Sequence, residues 1–214
     1  MFIEMLDLLR CVNAHEETWL VASLKAVSNR IVLDATLGCP VCQAQYPIRK
    51  GIADFRRGGD LSHPPAVRRS GGERREELAT RIGAFLNATE PGATIVLGGI
   101  WADAAQELAM MTDVRVLALN PGASVEESER VGLIRADTEI PLAPGSVLGL
   151  AFDATFSPET VSSALKVVRA GGRIVGPVST DAPHDVSELA RDASYWVAEK
   201  PAEMVSLRRS RLAE

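Results

Sequence analysis

Two cysteines with two residues between them, Cys39 and Cys42, are the residues of this sequence best suited to chemistry. With Pro40 between them they predict a tight knuckle whose backbone amides point at thiolate sulfurs, which is the geometry of half a tetrahedral zinc site. A redox-active dithiol is the alternative, and it requires a strand before the motif and a helix after it. Here Tyr46-Pro47-Ile48 and Gly51 follow, which predict an extended chain and a turn, so zinc is favoured.

A structural zinc ion takes four ligands, so two more are needed. The remaining cysteine of the sequence is Cys11, and His15 stands four positions after it. The alternative is that Cys11 is a small buried hydrophobe and His15 a surface residue. Because the 3 cysteines of the chain fall in one short segment, we predict one zinc ion bound by Cys11, His15, Cys39 and Cys42. Removing it should loosen residues 1–55 and leave the rest of the chain folded.

The segments around the cysteines carry a resemblance to a known family. Leu8-Leu9-Arg10-Cys11, a hairpin-like insert, then Gly38-Cys39-Pro40-x-Cys42 and Tyr46-Pro47-Ile48-x-x-Gly51-Ile52 resemble the small zinc-ribbon protein that activates tRNA and release-factor methyltransferases. The resemblance covers about residues 1–58 and implies a zinc ribbon there. It departs at position 14, which is Ala where that family often has its second cysteine, and His15 stands beside it as a substitute.

A polar, basic stretch rich in Gly and Pro follows the predicted ribbon. It predicts a linker at 59–72 between a zinc-ribbon-like domain at 1–58 and a second domain at 73–214. The linker arginines could contact RNA phosphates, but a solvated linker is the simpler interpretation. The net charge of −5 implies no global attraction to nucleic acid or to a membrane.

The sequence also predicts a cytoplasmic protein. No apolar run approaches the roughly 20 residues that a membrane span requires, and the first residues lack the pattern of a signal peptide. Cysteines that are grouped for metal binding, with none elsewhere, are typical of a reducing compartment.

Short apolar segments alternate with helical patterns in the second half of the chain. Strands are predicted at 94–97, 114–119, 132–136, 147–152, 173–176, 195–198 and 204–207, with helices at 73–88, 102–111, 158–169 and from Asp185. This alternation predicts an α/β fold with a Rossmann-like, doubly wound sheet of about seven strands. The first five strands should be parallel, and the last two should pair antiparallel because their connection is too short for a crossover.

Two phrases in this half are similar to class I S-adenosylmethionine-dependent methyltransferases. The segment 134–147, with Ala136-Asp137-x-Glu139 and Gly145-Ser146, resembles one of that family's motifs, and Val167–Val175 resembles its LRPGGRLV segment. The resemblance covers residues 73–214 and implies the methyltransferase fold, with S-adenosylmethionine as its cofactor.

The resemblance implies four cofactor-binding positions, two of which depart from the family's pattern. Gly98 and Gly99 open the loop after the first strand of the domain, residues 98–103, called here the glycine loop, but Ile-Trp follows where a second spaced glycine is expected. Asn120 replaces the acid that holds the ribose hydroxyls and loses charge-assisted strength. Asp137 stands at the position expected beside the adenine amine, and capping a turn is its alternative role. We expect S-adenosylmethionine to bind weakly or not at all.

Two functions remain open on this basis, and no catalytic residue is predicted. The departures favour a non-catalytic or weakly active methyltransferase-like protein that serves as a binding or assembly module, with a protein partner or a second copy of itself. The alternative is an active methyltransferase with a fused zinc-ribbon activator, acting on an RNA, a protein or a small molecule. A dinucleotide-dependent oxidoreductase is disfavoured because the phosphate-binding glycine pattern is missing.

Overall fold

The computed structural model describes residues 1–57, 74–122 and 125–202. The predicted linker at 59–72 and the predicted strand at 204–207 lie outside these residues. The strands are β1 (Val21–Ser28), β2 (Ile31–Gly38), β3 (Gln45–Arg49), β4 (Ile52–Asp54), β5 (Thr94–Gly98), β6 (Arg115–Leu119), β7 (Val131–Arg135), β8 (Val147–Ala151), β9 (Val168–Pro177), β10 (Ser187–Arg191) and β11 (Tyr195–Glu199). The α-helices are α1 (Arg75–Phe85), α2 (Ala105–Met111) and α3 (Pro158–Val167), and 3₁₀ helices span Ile3–Leu8 and Gly99–Ala104.

All of these strands belong to one 11-stranded sheet with the order β1-β2-β3-β4-β7-β6-β5-β8-β9-β11-β10. Strands β5 to β9 are mutually parallel, and β11 pairs antiparallel with both β9 and β10. The predicted α/β class and the predicted parallel strands are therefore confirmed. The strand order reverses between β5 and β8, and ligands of open α/β sheets bind outside the carboxyl ends of the strands at such a point.

The four N-terminal strands form an antiparallel meander in which the first and the last connection are two-residue turns. The β1–β2 turn is made by Asn29 and Arg30, with φ angles of 46° and 66°, and the β3–β4 turn by Lys50 and Gly51, with φ angles of 48° and 75°. Two consecutive residues of positive φ give the turn whose twist matches paired strands.

The meander and the parallel core share one sheet because β4 pairs parallel with β7. They also share a hydrophobic core. Helices α1 and α2 cover one face of the sheet, and α3 together with the N-terminal 3₁₀ helix covers the other. On the second face Met1, Met5 and Leu9 are fully buried in one cluster with Leu117 and Ile134 of the parallel strands.

Backbone hydrogen bonds attach the N-terminal segment to distant parts of the chain. Arg10 N–H donates to Pro141 O at 2.9 Å, and Ala143 N–H donates to Leu8 O at 2.8 Å. The N-terminal residues therefore pack as part of the larger fold. The division at 59–72 stays a prediction, because the residues between the two predicted domains are not among those described.

One predicted helix is wrong. The capping-box pattern at Asp185 and Glu188 predicts a helix, whereas the structure has the strand β10 at Ser187–Arg191. It pairs with β11 across a turn in which the Asp192 carboxylate accepts the N–H groups of Ser194 and Tyr195 at 2.6 and 2.7 Å. Pairing along the sheet edge outweighs the weak local preference for helix.

Candidate metal centre and cofactor crevice

The predicted knuckle is present between β2 and β3. Cys39 N–H donates to Ala44 O at 2.9 Å, and Gln43 N–H donates to Cys39 O at 3.0 Å, which closes a tight turn with Gln43 at φ 59°. Within this turn the Cys42 N–H points at Cys39 Sγ, 3.5 Å away. The backbone therefore presents two sulfurs and an amide donor to one point, as a zinc knuckle does.

The fold brings all four predicted ligands to this point. The ligand atoms of Cys11, His15, Cys39 and Cys42 lie within 4.8 Å of one another. Cys11 Sγ and Cys42 Sγ are 3.6 Å apart, and Cys39 Sγ lies 3.3 Å from His15 Nε2. Tetrahedral zinc with Zn–S bonds of about 2.3 Å separates its sulfurs by about 3.8 Å. This Cys₃His cluster can hold a structural metal such as zinc.

Three neighbouring groups orient the cluster. His15 Nδ1 lies 2.6 Å from the Glu16 carbonyl oxygen, so Nδ1 carries the proton and Nε2 is left to face the sulfurs. The Asn13 side-chain amide donates to Cys42 Sγ at 3.3 Å, and the Tyr46 hydroxyl lies 3.2 Å from Cys11 Sγ. Neither Asn13 nor Tyr46 is predicted from the sequence to be part of this site, although both stand within four residues of a predicted ligand.

The surroundings shift the pKa values of the Cys11 and Cys42 thiols in opposite directions. Hydrogen bonds from the Asn13 amide and then from the Ala44 backbone lower the pKa of exposed Cys42 to about 6. Burial raises the pKa of Cys11 above its ordinary value, and the hydrogen bond to Glu16 raises the pKa of His15. Cys42 is therefore the thiol of the cluster that loses its proton most readily.

The glycine loop lies at the switch point between β5 and β8, where the fold would place a cofactor. Asp153, just after β8, reaches back to this loop and accepts the Ile100 N–H at 2.8 Å and the Thr155 N–H at 2.9 Å. A Cβ at Gly99 would overlap the Asp153 carboxylate, and a Cβ at Gly98 would overlap the Phe156 ring. Side chains of the chain itself thus take the space beside the two glycines.

Trp101, the bulky residue of the glycine loop, points away from the crevice and into the core. Trp101 is fully buried, its indole N–H donates to Phe152 O at 3.2 Å, and its ring packs against Tyr195 at a centroid distance of 4.8 Å. It therefore belongs to the core, and the filling of the crevice comes from the loop after β8. No sequence motif signals this contact, because it joins residues more than 50 positions apart.

The other two predicted cofactor positions are also engaged within the protein. The Asn120 side chain spans the ends of β6 and β7, donating to Ala136 O at 2.9 Å and accepting the Ala136 N–H at 3.0 Å. Asp137 accepts the Arg57 N–H at 2.8 Å. The Asn120 side chain is therefore committed to an internal contact, whereas Asp137 is exposed and lines the neighbouring cleft.

An open cleft of about 720 Å³ lies next to the Cys/His cluster. Its walls are the loop at 10–17, the segment at 137–144 and helix α3. Charged groups of both signs line it, and they are largely paired: Arg10 binds Glu17 at 2.9 Å, and Lys166 lies 3.9 Å from Glu139.

These features define an α/β protein whose parallel core resembles the methyltransferase fold and whose N-terminal β region carries a Cys/His cluster. No family model and no curated sequence matches the chain. Solved structures are similar to it over roughly half its length. A proposed S-adenosylmethionine-dependent methyltransferase from Methanococcus maripaludis aligns with 62% of this chain and 87% of its own, at 10% identity and a TM-score of 0.45.

Two further solved structures are similar over shorter parts of their own chains. A proposed methyltransferase of antibiotic biosynthesis from Anabaena variabilis is 20% identical over 47% of this chain, with a TM-score of 0.40, and this chain spans 44% of its length. The MycE methyltransferase of mycinamycin biosynthesis is 10% identical over 60% of this chain and 49% of its own, with a TM-score of 0.45. None of the helices in the described residues is long and apolar enough to cross a membrane.

Proposed function

We propose that this chain is a non-catalytic methyltransferase-like protein that serves as a binding or assembly module and carries one structural zinc ion. The observation that carries the proposal is the closure of the cofactor crevice by the protein's own side chains. Asp153 and Phe156 stand where substituents at Gly98 and Gly99 would go. A cofactor that approached these glycines would have to displace both.

Displacing Asp153 is costly because its carboxylate accepts hydrogen bonds from Ile100 and from both donors of Thr155. A hydrogen bond to a charged group is worth about 1.5–3 kcal/mol, and each 1.4 kcal/mol lowers affinity about tenfold. The bidentate contact of Asn120 with Ala136 would be a second loss. These costs support weak or absent S-adenosylmethionine binding.

The proposed zinc ion has a structural role, since four protein ligands leave no open position for substrate or water. Cys11 and His15 come from the loop after the N-terminal 3₁₀ helix, and Cys39 and Cys42 come from the knuckle between β2 and β3. The metal would therefore tie two separate loops together at the rim of the cleft. Purified protein should contain about one zinc per chain by metal analysis.

Calorimetric titration of the zinc-loaded protein with S-adenosylmethionine tests the proposal. We expect no heat of binding up to millimolar cofactor. The matched variant Phe156→Ala, which removes the ring beside Gly98, should bind better than the wild type if filling of the crevice is the obstacle. A low-micromolar dissociation constant for the wild type would contradict the proposal and favour an active methyltransferase instead.

A further inference from the structure

The outer strand of the meander, β1, and the residues just before it expose several large apolar side chains, which is unusual for a sheet edge. Within the described residues β1 pairs with β2 alone, and its other edge is open. Trp19, Val21, Leu24 and Val27 are 68%, 66%, 45% and 46% exposed. Soluble proteins normally guard open edges with charges, prolines or short strands. This edge has 8 residues and a single charge, Lys25.

The opposite edge of the same sheet is guarded in the usual way. Strand β10 is 5 residues long and carries an ion pair between Arg191 and Glu188 at 2.7 Å. Leu189 is its one exposed large apolar side chain. The contrast indicates that β1 is kept apolar for a partner strand.

The sequence of β1 identifies what that partner is. Residues 21–27 read Val-Ala-Ser-Leu-Lys-Ala-Val, a near-palindrome about Leu24. When a second copy pairs antiparallel with Leu24 opposite itself, Val21 faces Val27, Ala22 faces Ala26, and Ser23 faces Lys25. Every apolar side chain then meets an apolar one, and the two lysines are separated. Matched aliphatic pairs stabilise antiparallel strands, whereas like charges directly opposite destabilise them.

The strand is regular enough to form this ladder. Its pairing with β2 shifts between Leu24 and Ala26 and again between Ala26 and Val27, where it returns to the register that Val21 begins. A two-fold pairing of this kind is closed, since it uses the same surface on both copies and leaves no β1 edge for further growth. An asymmetric peptide would gain nothing from the palindrome.

We propose that the chain forms a two-fold homodimer through antiparallel pairing of β1 with β1 of a second copy, joining the two sheets into one. This names the partner of the assembly module proposed above and so rests on that function. The homodimer and the proposed function can be refuted separately, because oligomeric state is measured without cofactor and cofactor binding is measured by titration.

Sedimentation equilibrium of the zinc-loaded full chain over a dilution series tests the dimer. We expect a dimer for the wild type and for Leu189→Lys on β10, and a dissociation constant raised about tenfold or more for Leu24→Lys, which sets two cations opposite each other. Thermal melting confirms that each variant folds. A monomeric wild type, an unaffected Leu24→Lys dimer or a dissociated Leu189→Lys protein would each overturn the proposal.

Cross-linking tests the register independently. Because Leu24 faces itself, Leu24→Cys should form an intermolecular disulfide when a mild oxidant such as diamide removes two electrons and two protons from the paired thiols. Ser28→Cys is the control, since its two copies lie far apart in this register, and the wild type gives the background of the native cysteines. Equal cross-linking of the two variants would contradict the register.

Discussion

The contact between Asp153 and Gly99 fills the space at the switch point between β5 and β8. The carboxylate of Asp153 lies against the bare Cα of Gly99, which has a φ of 63°. Only glycine combines that backbone conformation with room for the carboxylate. The glycine that resembles a cofactor-binding residue in the sequence therefore serves an internal contact in the fold.

Replacing Gly99 by Ala should destabilise the protein more than the same change at Gly171. Gly171 has a φ of 72°, but a Cβ there meets nothing within 4 Å, so Gly171→Ala should cost about 1 kcal/mol from backbone strain alone. Gly99→Ala adds a steric overlap and the loss of hydrogen bonds, for about 3 kcal/mol or more. Urea denaturation measures both, and equal losses would contradict the Asp153 contact.

Cys42 should be the most reactive thiol of the metal-free protein. Its lowered pKa of about 6 leaves it mostly thiolate at pH 7, and the alkylation rate should rise with pH to a half-maximum near that value. Cys11, with its raised pKa, should react at higher pH. Mass spectrometry after iodoacetamide treatment at several pH values measures each site.

The Asn13 hydrogen bond supplies the control for this prediction. Asn13→Ala should move the Cys42 midpoint upward, towards the value of an ordinary thiol, because it removes the hydrogen bond that lowers the pKa of Cys42 most. Added zinc should protect all of the clustered thiols. A Cys42 midpoint that is unmoved by Asn13→Ala would contradict the assigned cause of the shift.

At the scale of elements, the sequence predicts those strands that a local apolar pattern marks. The parallel strands β5 to β8 are short apolar runs bounded by glycine, asparagine or aspartate, and each was predicted to within two residues. The Cys/His cluster was also predictable, because its residues stand in two pairs with short spacings. The crevice filling was not, since Asp153 meets Ile100 across 53 positions.

The strand β10 shows why edge elements are harder to predict. Its five residues are all exposed, so no apolar alternation marks it as a strand. Its sequence, Ser-Glu-Leu-Ala-Arg, consists largely of good helix formers. Only the hairpin with β11 fixes its conformation, and that is a tertiary contact.

Removing the metal should loosen the two ligand loops rather than all of residues 1–55. The N-terminal 3₁₀ helix stays anchored by buried Met1, Met5 and Leu9, and β4 stays paired with β7. Hydrogen exchange after chelation should therefore rise at 11–19 and 38–46 and remain low at 1–9. This narrows the prediction made from the sequence, in which all of residues 1–55 loosen.

Cys42→Ser provides a metal-binding control that requires no chelator. It should reproduce the exchange pattern of the chelated protein, because loss of one ligand weakens the whole site. Loss of protection throughout 1–55 would contradict the anchoring argument and support an independently folding ribbon.

At the scale of the whole molecule, one sheet and one shared core predict cooperative unfolding. Met5 is the clearest link, since its sulfur packs over Gly132 of β7, where a Cβ would overlap it. A side chain from the N-terminal segment thus covers a strand of the parallel core. Met5 therefore couples the packing of the N-terminal segment to that of the parallel core.

We therefore expect Met5→Ala to destabilise the meander and the parallel core together, by about 2–5 kcal/mol. Hydrogen exchange in a urea series should show the same shift in midpoint for peptides from β2 and β3 as for peptides from β5 and β8, because unfolding of a shared core is a single transition. Met110→Ala is the matched control, because that side chain is 73% exposed on α2. Its loss should change the free energy of unfolding of either region by no more than about 0.5 kcal/mol. If Met5→Ala shifted the midpoint of the meander alone, the two regions would be thermodynamically separate domains joined only at their edge strands.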